Sequence, residues 1–299
     1  MDARPGSQTR AAVVTIEGRR PRRHTDVLAT EEPLEIRLDI GQGAAPLVVT
    51  MRTPGADFEL AAGFLFSEGI VRSREEIKEI RYCVDRERDG AQQYNVVTVE
   101  LRQGDIGDRI AARSFTMTGA CGVCGKSSLD ALSLAGLEPL PAGPKVPIET
   151  LYGLPETLRE RQRVFARTGG LHAAALFDAS GKLLALREDI GRHNALDKLV
   201  GWALLEGRIP LRDGIILVSG RASYELTQKT VAAGAPILCA VSAPSSLAVA
   251  LARRFNLTLV GFLRGKRANV YHGLDRLQID AEAPTLAADS GRDAEPASP

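Results

Sequence analysis

Cys121 and Cys124 stand three positions apart in the run Thr118-Gly119-Ala120-Cys121-Gly122-Val123-Cys124-Gly125-Lys126-Ser127-Ser128, with a glycine directly after each. Glycine at those points leaves both sulfurs sterically open and lets the backbone take unusual conformations. The thiolate is the reactive form of cysteine, and a nearby cation such as Lys126 favours it. This combination suits a persulfide relay, in which one exposed thiolate accepts sulfur and a neighbouring group stabilises or releases it. Two other chemistries share the spacing. A structural zinc site needs four ligands, but there is no second CxxC, and Cys83 and Cys239 sit in apolar strand patterns that suit small buried hydrophobes. A thioredoxin-like redox pair follows a strand and opens a helix, whereas this loop is longer and glycine-rich. The spacing alone does not separate sulfur transfer from disulfide exchange.

Four polar stretches further along are punctuated by glycine: Thr168-Gly169-Gly170-Leu171-His172; Arg187-Glu188-Asp189-Ile190-Gly191-Arg192-His193-Asn194; Ser219-Gly220-Arg221-Ala222-Ser223; and Phe262-Leu263-Arg264-Gly265-Lys266-Arg267-Ala268-Asn269. The last three fall where apolar strand patterns end, and ligands of open α/β sheets collect outside the carboxyl ends of strands. Helix starts there offer unpaired amides and the positive end of the dipole. Arg221, Arg264 and Arg267 can bind a pyrophosphate in bidentate fashion, and Lys266 acts as a point charge. Each stretch also has a plain structural explanation. Arg192 fits a solvated cap, His172 a satisfied interior histidine, and Lys266 with Arg267 an ordinary surface turn. Taken together, the junctions favour a nucleotide-like anion. Asp197 and Lys198 fit a functional pair or a solvated helix face equally well. Ala243-Pro244-Ser245-Ser246 reads as a helix cap.

Residues of these kinds must be held by surrounding elements. Leu34 to Arg52 alternates as a β-hairpin; Asp57 caps a predicted helix over Phe58 to Ser67, and Ser73 with Glu76 forms a capping-box pattern for a second helix. Strand patterns over residues 80–84 and 95–101 complete a small α+β unit. After a predicted helix over residues 148–165, apolar strand patterns at residues 172–177, 183–186, 214–218, 237–241 and 257–262 alternate with helices, one of which carries Leu196, Leu199, Val200 and Leu204 on a single stripe. The division expected is a mobile arginine-rich terminus over residues 1–25, a small α+β domain over 26–115, the cysteine loop with an α/β domain over 116–275, and a disordered tail over 276–299. The chain has 299 residues, is 44% hydrophobic and carries 38 basic against 37 acidic side chains. Its net charge of +1 projects no global field toward nucleic acid or a membrane surface, so any anion site must be local. The absence of a signal-peptide core or a spanning apolar run predicts a soluble cytoplasmic protein.

The chain resembles the formate dehydrogenase accessory sulfurtransferases, the FdhD family. The matching stretches are Met51-Arg52-Thr53-Pro54-Gly55, Glu59 to Leu65, Ser67 to Ile70, Cys121 to Gly125, Thr168 to His172, Arg187 to Val200, Ser219 to Ser223 and Phe262 to Tyr271. The resemblance implies a larger cytidine-deaminase-like α/β domain beside a smaller α+β N-terminal domain, and a homodimer. It also implies that sulfur arrives from an L-cysteine desulfurase as a persulfide on Cys121, with Cys124 as its partner. The sulfur then passes to the molybdenum cofactor in its bis-molybdopterin guanine dinucleotide form, which activates the formate dehydrogenase apoenzyme. The cofactor, of which GDP is a partial mimic, is expected along Phe262, Leu263, Arg264, Gly265, Lys266 and Arg267, with Arg192, His193, Ser219 and Arg221 nearby. No permanently bound cofactor, metal or nucleic acid is expected. A non-catalytic carrier of the cofactor would use the same anion site, and only the cysteines distinguish it. A zinc deaminase would need H-x-E followed by P-C-x-x-C. Here Ala173 and Ala174 follow His172, and the CxxC precedes it, which disfavours deamination.

Overall fold

A computed structural model describes residues 6–83, 94–102 and 137–279. Cys121, Cys124 and the final tail lie outside the described residues. Fourteen strands and six helices are seen among the described residues. The N-terminal part contains β1 (Gln8–Glu17), β2 (Arg20–Ala29), β3 (Glu32–Asp39), β4 (Ala44–Arg52), α1 (Asp57–Ser67), β5 (Ile77–Tyr82) and β6 (Val96–Leu101). There follow β7 (Val146–Pro147), α2 (Ile148–Arg161), α3 (Phe165–Thr168), β8 (His172–Phe177), β9 (Leu183–Asp189) and α4 (Arg192–Leu205). The chain continues through β10 (Ile215–Val218), α5 (Tyr224–Ala232), β11 (Ile237–Ala240), α6 (Ser246–Arg254), β12 (Thr258–Arg264), β13 (Arg267–His272) and β14 (Leu277–Gln278). The fold is mixed α/β.

The larger sheet has the order β13-β12-β11-β10-β8-β9. Strands β10, β11 and β12 are parallel, joined by α5 and α6, while β8 runs antiparallel to β10, and β9 antiparallel to β8. This reversal has a geometric result. The end of β9, the start of β8 and the carboxyl ends of β10, β11 and β12 all lie on one edge of the sheet. The central strands read as continuous apolar runs because both faces are covered. Ile215 and Leu217 face α2 through Leu151, Leu154 and Leu158, whereas Ile216 and Val218 face the opposite layer of helices.

The smaller sheet, β4-β3-β6-β5, buries Leu34, Ile36, Val97 and Val99 against α1. That cluster runs on without a break into α4, α5 and α6, so the hydrophobic core is continuous across the expected boundary between the two units. The join is made by α1 against α4. A Cβ built on Gly63 would lie 1.8 Å from the Asp197 carbonyl oxygen, and one on Gly201 would lie 1.8 Å from that of Glu59. Only glycine allows the two backbones to approach this closely.

Several local expectations are corrected. Asp57 is the first residue of α1 and does not cap it; Ala56 precedes the helix with φ 55° and offers no side-chain cap. The Asp57 carboxylate instead accepts hydrogen bonds from buried Arg52 at 3.1 Å on each oxygen and from the Tyr82 hydroxyl at 3.0 Å. The Ser73 and Glu76 pattern yields a single turn over Arg74–Glu76, because β5 begins at once and pairs with β6. The helix expected over residues 148–165 is broken after Arg161, and α3 starts where the Glu188 carboxylate accepts from the backbone N–H groups of Val164 and Phe165 at 3.1 and 2.8 Å. The arginine-rich terminus, expected to be mobile over residues 1–25, forms a hairpin paired from Gln8 with Ala29 to Glu17 with Arg20. Val13, Val14, Thr15 and Ile16 favour the strand, and Gly18 turns the chain at φ 62°.

Gly201→Ala is expected to lower stability by about 3 kcal/mol, the upper end for overpacking a tight interface. Gly153→Ala, on α2 with open space around it, should stabilise by up to about 1 kcal/mol. Urea midpoints of the two variants check this, and equal midpoints would show that the α1–α4 contact can relax.

Candidate site at the strand ends

Three loops meet at the carboxyl ends of the parallel strands and are bonded to one another. After β10, the Ser219 N–H donates to the Ala173 carbonyl at 3.0 Å while its hydroxyl accepts from the Ala173 N–H at 2.9 Å. The loop after β11 is tied to it: Ser242 N–H donates to Gly220 O at 3.3 Å, Ala222 N–H to Ala243 O at 3.2 Å and Ser245 N–H to Ala222 O at 2.9 Å. Ser223 and Ser245 then cap α5 and α6, their hydroxyls accepting from Leu226 N–H at 3.4 Å and Ala248 N–H at 3.2 Å. The third loop is the end of β12, where the pairing with β13 is irregular between Gly261 and Arg264. Phe262 takes φ 52° there and donates its N–H to Ser242 O at 3.1 Å. Such a conformation is costly for an aromatic residue and persists only where the surroundings enforce it. A side chain at Gly261 would meet Pro244 at 2.8 Å, so the bulge packs tightly on the β11 loop.

Along the stretch from 262 to 267, Phe262, Arg264, Gly265, Lys266 and Arg267 are exposed, while the Leu263 side chain is fully buried beneath them. Leu263 thus anchors the stretch from the core side. Arg264 Nε donates to Val241 O at 3.0 Å, which fixes the base of its guanidinium at the strand edge. Arg221 is exposed on the β10 loop.

The β9–α4 junction forms the other side. Asp189 is fully buried, and its carboxylate accepts from Gly191 N–H at 2.8 Å, Thr53 N–H at 3.1 Å and Asn194 Nδ2 at 3.2 Å, with Lys198 Nζ 2.6 Å away. Lys198 also donates to Thr53 O at 2.8 Å. The segment Met51-Arg52-Thr53 from the smaller sheet is therefore built into the start of α4, which displays Arg192 and His193. His193 Nε2 lies 3.4 Å from both Ser223 Oγ and Glu225 Oε2, joining the starts of α4 and α5. Burial opposes charge on Glu225. The hydrogen bond from His193, the residue's own N–H, the His193 charge and Ser223 together overcome it and hold the carboxyl at about 2.

His172 links the two sides. It pairs with Asp189 across the β8–β9 register, and its ring lies against Gly220, where an added Cβ would meet Nδ1 at 3.4 Å. Burial, then the charges of Arg192 and His193, lower its pKa against the pull of Asp189, so the neutral imidazole is favoured. Arg192 Nε is shielded from solvent and has no hydrogen-bond partner among the described residues. The edge thus carries cations on two sides and, between them, a histidine whose charged form is disfavoured, an arrangement suited to a polyanion.

Arg192, His193 and Ser219 come together here, and the 262–267 stretch joins them through Ser242 and Gly220. Sequence reasoning missed Glu225, the structural role of Asp189, and the β11 loop as part of the edge. Asp189, two residues before a glycine that precedes a helix, was the available signal for a local turn-forming carboxylate. Asp197 and Lys198 are both buried, not on a solvated face. Asp197 receives Lys229 Nζ at 2.7 and 2.8 Å and Ser67 Oγ at 2.8 Å; burial raises its carboxyl pKa against these partners. Cys239 is a buried core residue of β11, its thiol pushed up to about 12 by burial, and Cys83 is half-buried beside β5. Among the described residues, no group of His, Cys, Asp or Glu could hold a metal ion, and no helix is long and apolar enough to cross a membrane.

Fold and strand-end geometry define a mixed α/β protein with a cation-lined sheet edge, and comparison with known proteins is specific about which one. The FdhD/NarQ family matches residues 29–278. A sulfur carrier protein FdhD from Mycolicibacterium paratuberculosis is 54% identical over 255 residues, covering 84% of this chain and 92% of its own. One from Saccharolobus solfataricus is 44% identical over 253 residues, covering 85% and 91%. A crystal structure from Desulfotalea psychrophila, assigned as a formate dehydrogenase accessory protein, superposes with a TM-score of 0.69 at 26% identity, covering 91% of this chain and 99% of its own. The chain belongs to the FdhD/NarQ family.

Because the Glu225 carboxyl is held near 2 in the folded chain against an ordinary 4.5, its contribution to stability is present above pH 4.5 and lost as pH falls toward 2. Glu225→Gln should remove that component. Its stability should fall less steeply than the parent's between pH 4.5 and 2 in urea titrations, and parallel curves would contradict the His193 contact.

Proposed function

We propose that this chain is a sulfurtransferase for the molybdenum cofactor of a formate dehydrogenase. In this reading the Cys121 thiolate attacks the outer sulfur of a persulfide on an L-cysteine desulfurase. The donor's cysteine leaves as a thiolate, and Cys121 becomes the persulfide. Cys124 assists as the neighbouring thiol. The sulfur then passes to the bis-molybdopterin guanine dinucleotide form of the cofactor, held as substrate at the strand ends. Family membership supports the sulfur-carrying part, since relatives of this chain are named as sulfur carriers and a structural relative as a formate dehydrogenase accessory protein.

One observation carries the choice of acceptor. The loops after β10, β11 and β12 are hydrogen-bonded into one edge that exposes Arg264, Lys266 and Arg267, and the Arg192–His193 helix start lies on the same edge of the sheet. A dinucleotide cofactor brings pyrophosphate groups that such an edge can bind through guanidinium forks and helix-start amides. The protein acts in the cytoplasm, as a homodimer, and releases the cofactor to the apoenzyme.

Incubation with a desulfurase and L-cysteine is expected to add one sulfur atom to the Cys121 peptide, read by mass spectrometry. No added mass on that peptide would favour a carrier that holds the cofactor without sulfur chemistry. Cys121→Ala should abolish sulfur loading while GDP binding survives. Arg264→Ala combined with Arg267→Ala should weaken GDP binding by about tenfold or more, since hydrogen bonds to charged groups contribute roughly 1.5–3 kcal/mol each. Unchanged affinity by calorimetry would remove the anion site from the reading.

A further inference from the structure

The hairpin β1–β2 has no role in the strand-end site, and its structure is unusual for a segment with only a supporting purpose. It forms a two-stranded sheet of its own, ten residue pairs long, with both outer edges unpaired by any other described strand. Isolated ribbons of this kind are marginally stable in water. At about 3.4 Å per residue its strands run for roughly 34 Å. Arg10, Arg19, Arg20, Arg22 and Arg23 are exposed, and their side chains make no hydrogen bond or ion pair among the described residues. Against these five cations, residues 8–29 hold two acids, Glu17 and Asp26, so the ribbon carries +3 in a chain whose total is +1.

Its apolar side chains argue for the kind of partner. Val14 is 52% exposed and Ile16 69% exposed, and the register sets them on one face, opposite Arg23 and Pro21. Arg10 and Arg23 share that face, while Arg20 and Arg22, paired with Glu17 and Thr15, lie on the other; apolar side chains beside arginine are the composition of a protein–protein interface. Nucleic acid is a poorer fit, because the ribbon holds no Phe, Tyr or Trp on which a base could stack, and its half-buried His24 is the one ring it offers. Its position argues for which partner. The base of β2 rests on the segment just before β8: a Cβ on Gly170 would lie 3.5 Å from the Ala29 Cβ, and Gly170 is two residues from His172 at the cofactor edge. A protein gripped by the ribbon is thereby brought to the edge from which the cofactor must leave.

We propose that the hairpin is a docking arm for an acidic, apolar-centred surface on the formate dehydrogenase apoenzyme. This inference rests on the sulfurtransferase reading given above for the identity of the acceptor. Attraction between the exposed arginines and that acidic surface accelerates encounter, and Val14 and Ile16 provide the contact that is lost slowly.

The test compares the full-length chain with two variants, Arg20→Glu/Arg22→Glu/Arg23→Glu and Val14→Ser/Ile16→Ser, binding to the cognate formate dehydrogenase apoenzyme by biolayer interferometry at low and high salt. The charge variant is expected to lose about tenfold or more in affinity, chiefly in the association rate, and to lose the salt dependence. The apolar variant should dissociate faster. Calorimetric GDP binding should be unchanged in both, which shows that the rest of the fold is intact. Unchanged apoenzyme affinity would overturn the proposal, as would absence of any binding by the parent chain. A loss confined to desulfurase binding, a change in oligomeric mass by light scattering, or binding to duplex DNA that the charge variant alone abolishes would each overturn it in favour of a different occupant. Persulfide loading of Cys121 is measured separately on the same variants. Loading without an effect on apoenzyme binding defeats the arm alone, whereas no loading in any of them defeats the sulfurtransferase reading.

Discussion

The contact between Gly63 on α1 and Gly201 on α4 is the constraint on which the remaining geometry depends. Because each backbone lies where the other's Cβ would be, the smaller sheet is held at a fixed distance from the larger one. That distance lets Thr53 reach Asp189 and Lys198, and lets Asn194 Nδ2 donate to the Met51 carbonyl at 2.7 Å. The start of α4 is therefore positioned from outside its own sheet. Arg192 and His193 inherit that placement, and through His193 so does the start of α5.

Buried charge reinforces the same join. Lys198 with Asp189, Lys229 with Asp197 and Arg52 with Asp57 all lie within or beside the α1–α4–α5 layer. Such pairs add little net stability over well-packed apolar residues, but losing one partner leaves an uncompensated charge at a cost of about 3–5 kcal/mol. Their effect here is to reject alternative packings. Ser67 at the end of α1, Asp197 on α4 and Lys229 on α5 form one chain of contacts, so a slide of any helix leaves a charged group without its partner.

Those features explain what could be read in the sequence and what could not. The strands at 172–177, 237–240 and 258–264 were legible because strands covered on both faces are continuous apolar runs. The convergence of polar stretches at strand ends was legible from the rule that ligands gather there. Asp197 and Lys198 were not, because Lys229 lies 32 positions from Asp197 and Thr53 145 from Lys198, and no local pattern separates a buried charge from a solvated one. Ser73 and Glu76 suggested a helix, but Glu76 reaches back to the Arg72 N–H at 2.8 Å and the strand after it pairs with β6. Local propensity yielded there to sheet formation. The N-terminal ribbon escaped detection because arginines interrupt the alternation that marks a strand.

The bulge at the end of β12 bears on how relatives of this chain can diverge. Leu263 is buried while Phe262 and Arg264 are exposed, and the bulge at Phe262 is what sets Leu263 in the same core cluster as Val260, three residues back. Inserting or deleting a single residue ahead of the turn would send Leu263 into solvent and drive a guanidinium into the apolar layer beneath. The exposed side chains of Arg264, Lys266 and Arg267 meet no such barrier, although Gly265 between them, at φ 54°, favours glycine. In this lip of the site, chain length is held far more strictly than residue identity, so drift should replace its cations one at a time and leave its residue count unchanged.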